Sequence, residues 1–287
     1  MIKPFLKGKA LLEDIHNALK ESEKLHVWWL GQSGFLVQCY GEHILFDPYL
    51  SDSLTRKYAE TDKPHTRMTE QVVDPLKLNF IDVTTSSHNH TDHLDHETLI
   101  PLMKVNPEME LVVPSANQKF AADRLKVAQN KLRSINTDKS LKLGKFEIHA
   151  IPAAHEELST DNQGRHHFLG YIAKIGPWAI YHSGDTIPYE GMVELLSQWN
   201  INVALLPING RRSERRVAGN LWGTEAAHLA KSIDADIVIP CHYEMFEFNT
   251  ETTEKFESEC IKIKQDYKTL KAGQRWSGLP NSKDYEY

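Results

Sequence analysis

The stretch His88-Asn89-His90-Thr91-Asp92-His93 contains four potential metal ligands within six residues. It follows a strand-forming run that ends near Thr85 and precedes a helical pattern that begins near Glu97, so we expect a strand-to-helix turn. The first two histidines would lie on one side of an extended backbone, whereas the aspartate and the last histidine follow the bend. Two metal ions about 3.5–4 Å apart need ligands divided in this way. The motif therefore predicts a metal centre rather than a solvated histidine-rich loop.

The overall composition is that of a globular protein without an extreme charge. The chain has 287 residues, of which 33 are Lys or Arg, 39 are Asp or Glu and 15 are His, so the formal net charge is −6. This negative balance argues against a broad nucleic-acid-binding surface. No apolar run approaches the ~20 residues of a membrane-spanning helix, and the first residues are charged where a signal peptide is apolar. Three scattered cysteines fit reduced thiols, so we expect a cytoplasmic protein.

The distribution of strand and helix patterns predicts one α/β domain. Apolar residues at helical spacing predict a helix within residues 9–24, and two β-rich runs around a glycine-bearing turn predict a hairpin over residues 25–40. Residues 51–74 are polar and lack clear periodicity, which is typical of a long loop. The many strands with helices between them favour helices packed outside stacked sheets. We therefore expect a single domain over residues 1–287, with residues 1–24 as an N-terminal helical extension.

The motif resembles the His-x-His-x-Asp-His signature of the metallo-β-lactamase superfamily, whose fold is a four-layer αβ/βα sandwich. In that superfamily the remaining ligands come from later strand ends in a fixed order. This chain offers them in Ile151-Pro-Ala-Ala-His155, in Tyr181-His-Ser-Gly-Asp185 and in Ile239-Pro-Cys-His242. The resemblance spans roughly residues 25–275. The last two segments and Trp28-Trp-Leu-Gly-Gln-Ser-Gly34 are most similar to the branch of L-ascorbate-6-phosphate lactonase and its relatives.

The resemblance implies a full set of ligands for two metal ions. Metal one would be held by His88, His90 and His155. Metal two would be held by Asp92, His93 and His242, and Asp185 and a hydroxide would bridge the two metals. Asp92 and Asp185 would then be the catalytic carboxylates. A histidine or aspartate at one strand end is by itself more often an ordinary polar loop residue, and the order of these residues behind the first motif favours the ligand assignment.

Two further features are open to more than one interpretation. Asp47, at the end of a strand-forming run, resembles the aspartate that fixes a ligand histidine in the superfamily, and it could equally be an ordinary turn residue before Pro48. The segment 209–216 contains four arginines. Arg211 or Arg212 would bind an anionic substrate through its planar guanidinium, unless the whole segment is a solvated charged loop.

Together these features favour a dinuclear metal-dependent hydrolase. By resemblance, a metal-bridging hydroxide would attack a small, anionic lactone or ester. A metal-dependent phosphodiesterase, a di-iron redox protein on the same scaffold and a metal-binding protein without catalysis are the alternatives. The ligands are all nitrogen or oxygen donors, which suit manganese or zinc and also iron. We expect a small-molecule substrate and neither a nucleic-acid nor a membrane partner, and we leave open whether the chain forms a homo-oligomer.

Overall fold

The computed structural model describes residues 1–137 and 139–279, so residues 138 and 280–287 of the predicted single domain lie outside the described residues. The β-strands are β1 Leu25–Gly31, β2 Gly34–Cys39, β3 Glu42–Phe46, β4 Val83–Thr85, β5 Glu110–Pro114, β6 Leu132–Ile135, β7 Ser140–Leu143, β8 Phe146–Pro152, β9 Leu169–Ile175, β10 Trp178–His182, β11 Val203–Pro207, β12 Ile237–Cys241 and β13 Arg275–Gly278. The α-helices are α1 Lys9–Ala18, α2 Ser53–Lys57, α3 His96–Val105, α4 Gln118–Leu125, α5 Met192–Leu196, α6 Gly223–Ser232 and α7 Glu254–Ile263. Across these described residues, no helix has both the length and the apolar character to cross a lipid bilayer.

The strands form two mixed sheets. The first has the order β13-β1-β2-β3-β4-β5-β6, in which β13 and β1 to β3 pair antiparallel and β3 to β6 pair parallel. The second has the order β12-β11-β10-β9-β8-β7, in which β10 to β12 pair parallel and β7 to β10 pair antiparallel. Two mixed sheets with helices confirm the predicted α/β sandwich.

The central strands are buried along their whole length. Every residue of β1, β2, β10 and β11 is buried. A strand that is buried on both faces is covered on each side by another layer of structure. The side chains of Trp28, Trp29, Phe35, Phe46 and Phe146 are each at most 1% exposed, so large aromatic groups fill the core. The core therefore gives the strand ends a rigid base.

The N-terminal helix is shorter than predicted and packs into this core. It ends at Ala18 and continues as one turn of 3₁₀ helix over Leu19–Glu21. Leu11, Ile15 and Ala18 are its buried residues. The Trp28 indole N–H donates a hydrogen bond of 2.8 Å to Asp14 of the helix, which attaches α1 to β1.

The predicted long loop over residues 51–74 contains helix α2, which sequence periodicity did not reveal. The side chain of Arg67 is only 7% exposed and lies inside this segment. Its guanidinium donates to Asp52 Oδ1 at 2.6 Å, to the Ser51 carbonyl at 2.5 Å and to the Thr69 carbonyl at 3.1 Å. One buried arginine thus fixes the segment through contacts that follow no helix or strand period.

Strands β4, β8, β10 and β12, which come from both sheets, end near one another at one edge of the sandwich. Strands β8, β10, β11 and β12 run in the same direction in the second sheet, because β9 pairs antiparallel with both β8 and β10. Strand β4 of the first sheet runs parallel to β3 and β5. The segments that follow β4, β8, β10 and β12 carry the predicted metal ligands.

Candidate metal centre

The seven predicted ligands converge on one cluster at this edge. The motif of residues 88–93 follows β4, and the other three ligands follow β8, β10 and β12. The members that are at most 4% exposed are His88, His93, His155, Asp185 and His242. His90 is exposed and Asp92 is half-buried, so the cluster is accessible from one side.

The cluster contains the two ligand sets that the resemblance implies. The ligand atoms of His88, His90 and His155 all lie within 4.8 Å of one another. The same holds for the ligand atoms of Asp92, His93 and His242. The structure thus brings together every residue of both sets, and their role as metal ligands stays a prediction.

The Asp185 carboxylate lies between the two sets. Its Oδ2 atom is 3.5 Å from Nε2 of His155, which belongs to the first set. The same oxygen is 3.3 Å from Nε2 of His93 and 3.4 Å from Nε2 of His242, which belong to the second. One carboxylate therefore faces imidazoles of both sets, as a bridging ligand requires.

Hydrogen bonds behind the cluster orient the imidazoles. The Nδ1 atom of His155 lies 2.9 Å from the Gly219 carbonyl oxygen, and the Nδ1 atom of His93 lies 2.7 Å from Asp47 Oδ2. Both partners are acceptors, so Nδ1 donates and the opposite nitrogen, Nε2, faces the cluster. This is the tautomer and orientation in which histidine binds a metal through Nε2.

Several buried polar atoms of the cluster lack a hydrogen-bond partner. They are His88 Nε2, His93 Nε2 and Asp185 Oδ1. An unpaired buried polar group costs about 1–3 kcal/mol, so several of them in one place need an explanation. A divalent cation satisfies imidazole nitrogen and carboxylate oxygen together. The donor set of the cluster therefore fits a bound metal.

The electrostatics of the cluster favour positive charge at its centre. Burial lowers the pKa of His88 well below its usual value, so this imidazole is neutral and able to bind a metal. Burial also acts to lower the pKa of His93, but the facing carboxylates of Asp185 and Asp92 raise that pKa well above its usual value. Burial acts to raise the pKa of Asp185, and the facing imidazoles nevertheless hold it well below its usual range. Two ionised carboxylates thus attract a cation into the cluster.

Asp47 occupies the position behind His93 that the resemblance suggests. It is fully buried, and its Oδ1 accepts hydrogen bonds from Thr85 Oγ1 at 3.1 Å and from the Ser87 amide at 3.0 Å. Its Oδ2 is the acceptor for His93 Nδ1. Since the carboxylate is held on both oxygens, it can fix the His93 ring, and it is more than a turn residue before proline.

A pocket of about 420 Å³ opens onto the cluster. The residues that it shares with the cluster are His90, Asp92, His155, Asp185 and His242. Aromatic rings line another part of its wall, where the ring of His65 lies between Tyr58, at 4.1 Å, and Phe248, at 4.5 Å, measured between ring centroids. This volume lies within the range of small-molecule binding pockets.

In the arginine segment, residues 209–216, the arginine that lines the pocket is not one of the two that were expected to bind an anion. Arg211 donates two hydrogen bonds of 2.7 Å to the carboxylate of Glu225, and Arg212 lies 2.8 Å from Glu251. Both line a separate groove beside His155. Arg216, which was not singled out, lines the pocket that opens onto the cluster, together with Lys57 and Arg124.

Gln32 is a member of the cluster that sequence analysis did not assign. It lies in the turn between β1 and β2 and is 1% exposed. Its carboxamide nitrogen lies 2.7 Å from Asp92 Oδ2 and 3.0 Å from His242 Nε2. The only local signal was a polar pair between two glycines, which predicted a turn and no more.

The comparisons with known proteins agree with this geometry. A family model described as "Beta-lactamase superfamily domain" matches residues 42–243, which is more than half of the chain. The chain belongs to this superfamily. The matched residues include all seven predicted ligands, and the predicted metallo-β-lactamase fold is confirmed. The narrower resemblance to the ascorbate-6-phosphate lactonase branch stays a prediction.

Similar proteins and solved structures match most of the length of this chain. A "UPF0173 metal-dependent hydrolase" of Caldivirga maquilingensis is 28% identical over 235 residues, which are 80% of this chain and 87% of that protein. The isothiocyanate hydrolase from Delia radicum gut bacteria has a TM-score of 0.71 at 16% identity and covers 89% of this chain and 99% of its own. Igni18, a metallo hydrolase of Ignicoccus hospitalis, has a TM-score of 0.64 at 19% identity and covers 89% of this chain and 98% of its own. The two solved structures show the shared fold.

We expect Asp47→Asn to weaken metal binding about ten- to a hundredfold, because the substitution removes the charge that fixes a metal-binding histidine. The measurement is competition for Zn²⁺ between the protein and a chromogenic chelator. The matched control is Asp82→Asn, since Asp82 accepts a hydrogen bond of 2.8 Å from the His43 amide and lies outside the cluster. Equal metal affinity in both variants would contradict the role of Asp47.

Proposed function

We propose that the protein is a metal-dependent hydrolase that binds two divalent ions and acts on a small, anionic lactone or ester. The observation that carries this proposal is the position of Asp185, whose carboxylate faces His155 of one ligand set and His93 and His242 of the other. The similarity to a metal-dependent hydrolase and to an isothiocyanate hydrolase supports hydrolysis as the reaction class.

The ligand set supports manganese or zinc as the bound metal, with iron as a third candidate. Imidazole nitrogens and carboxylate oxygens suit all three, and the predicted set contains no thiolate. When bound, such ions supply hydrolytic chemistry by lowering the pKa of water and by polarising a carbonyl or phosphoryl oxygen. The buried carboxylate of Asp185 would hold both ions in a fixed relation.

Asp92 is the carboxylate that we assign to proton transfer. Its side chain is 15% exposed, compared with 4% for Asp185, and it lines the pocket. Burial acts to raise its pKa, but the neighbouring His93 and other groups lower it, so the carboxylate is ionised. A carboxylate at the pocket wall can accept a proton from the attacking water and pass it to the leaving group.

The pocket supports a small substrate with a negative charge. Lys57, Arg124 and Arg216 bring three positive charges to its wall. Arg216 lies 2.8 Å from Asp62, and both side chains are exposed, so this ion pair is weak and can exchange for a substrate anion. The anion contact that the sequence suggested for Arg211 and Arg212 is therefore better supplied by Arg216, while Arg211 is held by Glu225.

The lactonase resemblance narrows the proposed substrate to a phosphorylated lactone or a similar acidic ester. The segment Trp28–Gly34 and the strand ends before Asp185 and His242 carry that resemblance. The competing reaction is phosphodiester hydrolysis, which the same ligands could support. Turnover of a phosphorylated lactone by the metal-loaded protein supports the proposal. Turnover of bis(p-nitrophenyl) phosphate alone would replace the proposal with the phosphodiesterase alternative.

We expect Asp185→Asn to lower kcat at least about a hundredfold, the scale of removing one electrostatic group from an active site. The fold should persist, because the core does not include this residue, and elemental analysis should find fewer than two metals per chain. The control is His149→Ala, since His149 packs on Trp199 with ring centroids 4.6 Å apart and is not part of the cluster. Full metal content with unchanged turnover in Asp185→Asn would contradict the ligand assignment.

We expect Arg216→Ala to reduce kcat/KM for an anionic ester about ten- to a hundredfold, since a hydrogen bond to a charged group is worth about 1.5–3 kcal/mol. The loss should appear mainly in KM, and an uncharged aryl ester should be hydrolysed as before. Arg211→Ala is the comparison, because Arg211 is already bound to Glu225. A larger loss in Arg211→Ala would return the anion contact to Arg211, and equal losses on charged and uncharged esters would indicate a structural role.

A further inference from the structure

We propose that Gln32 is an additional ligand for the metal bound by Asp92, His93 and His242, through its carboxamide oxygen. The proposal rests on the proposed dinuclear centre and adds a residue to it. Gln32 lies before the hairpin strand β2, far in sequence from every predicted ligand. Its side chain contacts two members of this ligand set, Asp92 and His242.

The backbone holds Gln32 in a fixed position at the cluster. Its φ angle is +51°, in the left-handed region that a residue with a side chain adopts at a cost. Its carbonyl oxygen accepts a hydrogen bond of 2.9 Å from the Trp29 indole and another of 2.9 Å from the His242 amide. The backbone of Gln32 is thus tied directly to the residue that carries one ligand of the set.

The contacts of the carboxamide change when a metal binds. The nitrogen of Gln32 donates to Asp92 Oδ2 and lies 3.0 Å from His242 Nε2, which must then be the acceptor. The Nε2 atom of a neutral imidazole has one lone pair, so it cannot accept this hydrogen bond and also bind a metal. Metal binding to His242 through Nε2 therefore requires the carboxamide nitrogen to leave.

The carboxamide oxygen of Gln32 can take the place of the nitrogen. This oxygen is buried and has no hydrogen-bond partner. A half-turn about the last side-chain bond exchanges oxygen and nitrogen and brings the oxygen towards Asp92 and His242. Without a cation, the carboxamide oxygen of Gln32 then faces the Asp92 carboxylate, and the two repel each other. A cation between these oxygens makes the arrangement favourable. The metal and the half-turn therefore stabilise each other.

An additional oxygen ligand affects which metal binds. Carbonyl, carboxylate and water oxygens suit manganese, whereas zinc is satisfied by fewer, nitrogen-rich ligands. We therefore expect Gln32 to contribute more to Mn²⁺ binding than to Zn²⁺ binding. This expectation provides a readout that a purely structural role of Gln32 would not produce.

The test is a Mn²⁺ titration of the chelator-treated full chain, followed by the electron paramagnetic resonance signal of free Mn²⁺. Gln32→Asn suits the left-handed backbone, because asparagine is common there, but its side chain is one methylene shorter. We expect wild-type protein to bind two Mn²⁺ ions, and Gln32→Asn to retain the first and bind the second about ten- to a hundredfold more weakly. Gln32→Glu should restore the second ion, since it supplies an oxygen at the original length.

The matched control is Gln38→Asn. Gln38 is also buried, its carboxamide nitrogen lies 2.7 Å from His43 Nε2, and its oxygen also lacks a hydrogen-bond partner, but it lies outside the cluster. Its variant should bind both ions as wild type does. If Gln32→Asn leaves both Mn²⁺ affinities unchanged, or weakens Mn²⁺ and Zn²⁺ binding equally, the proposed role of Gln32 is overturned. The proposed dinuclear centre is not affected by that result. Fewer than two ions in wild-type protein would instead contradict the dinuclear centre on which the proposal rests.

Discussion

The contact of the buried Asp185 carboxylate with three imidazoles is the interaction on which the rest of the site depends. Its Oδ2 atom lies 3.3–3.5 Å from Nε2 of His93, His155 and His242. These three histidines follow three different strands, so the contact requires that strands from both sheets end at the same edge. A carboxylate and several imidazoles buried together are costly unless each is paired, and a divalent cation at their centre would provide that pairing. The convergence of strand ends from both sheets thus places the candidate metal-binding groups side by side.

Hydrogen bonds from neighbouring groups restrict the orientation of side chains in the cluster. Asp47 holds His93 from behind, and the Gly219 carbonyl holds His155. Asp47 and Gln32 both have positive φ angles, of 40° and 51°, so strained backbone lies next to the cluster. Such strain persists only where the surrounding structure fixes it, and it is concentrated at functional sites. The buried strands support this strained backbone, and the more open side of the cluster faces the pocket.

How much of the site the sequence predicted depends on how far apart in the chain the contacting residues lie. The motif at residues 88–93 could be recognised because its candidate ligands are local, and the later candidates because the superfamily resemblance implies ligands after strand ends in a fixed order. Gln32 could not be recognised, since its partners lie 60 and 210 residues away. The segment fixed by Arg67 was expected to be a plain loop, because side-chain contacts leave no periodic pattern.

We expect two divalent ions to bind between these residues, with Asp185 in contact with both. The most direct measurement is a crystal structure of the Mn²⁺-loaded protein with anomalous diffraction data. A dinuclear centre would give two anomalous peaks about 3.5–4 Å apart, with the Asp185 carboxylate between them. One peak would lie beside His88, His90 and His155, and the other beside Asp92, His93 and His242. A single peak at the cluster, or two peaks of which only one contacts Asp185, would contradict a dinuclear centre bridged by Asp185.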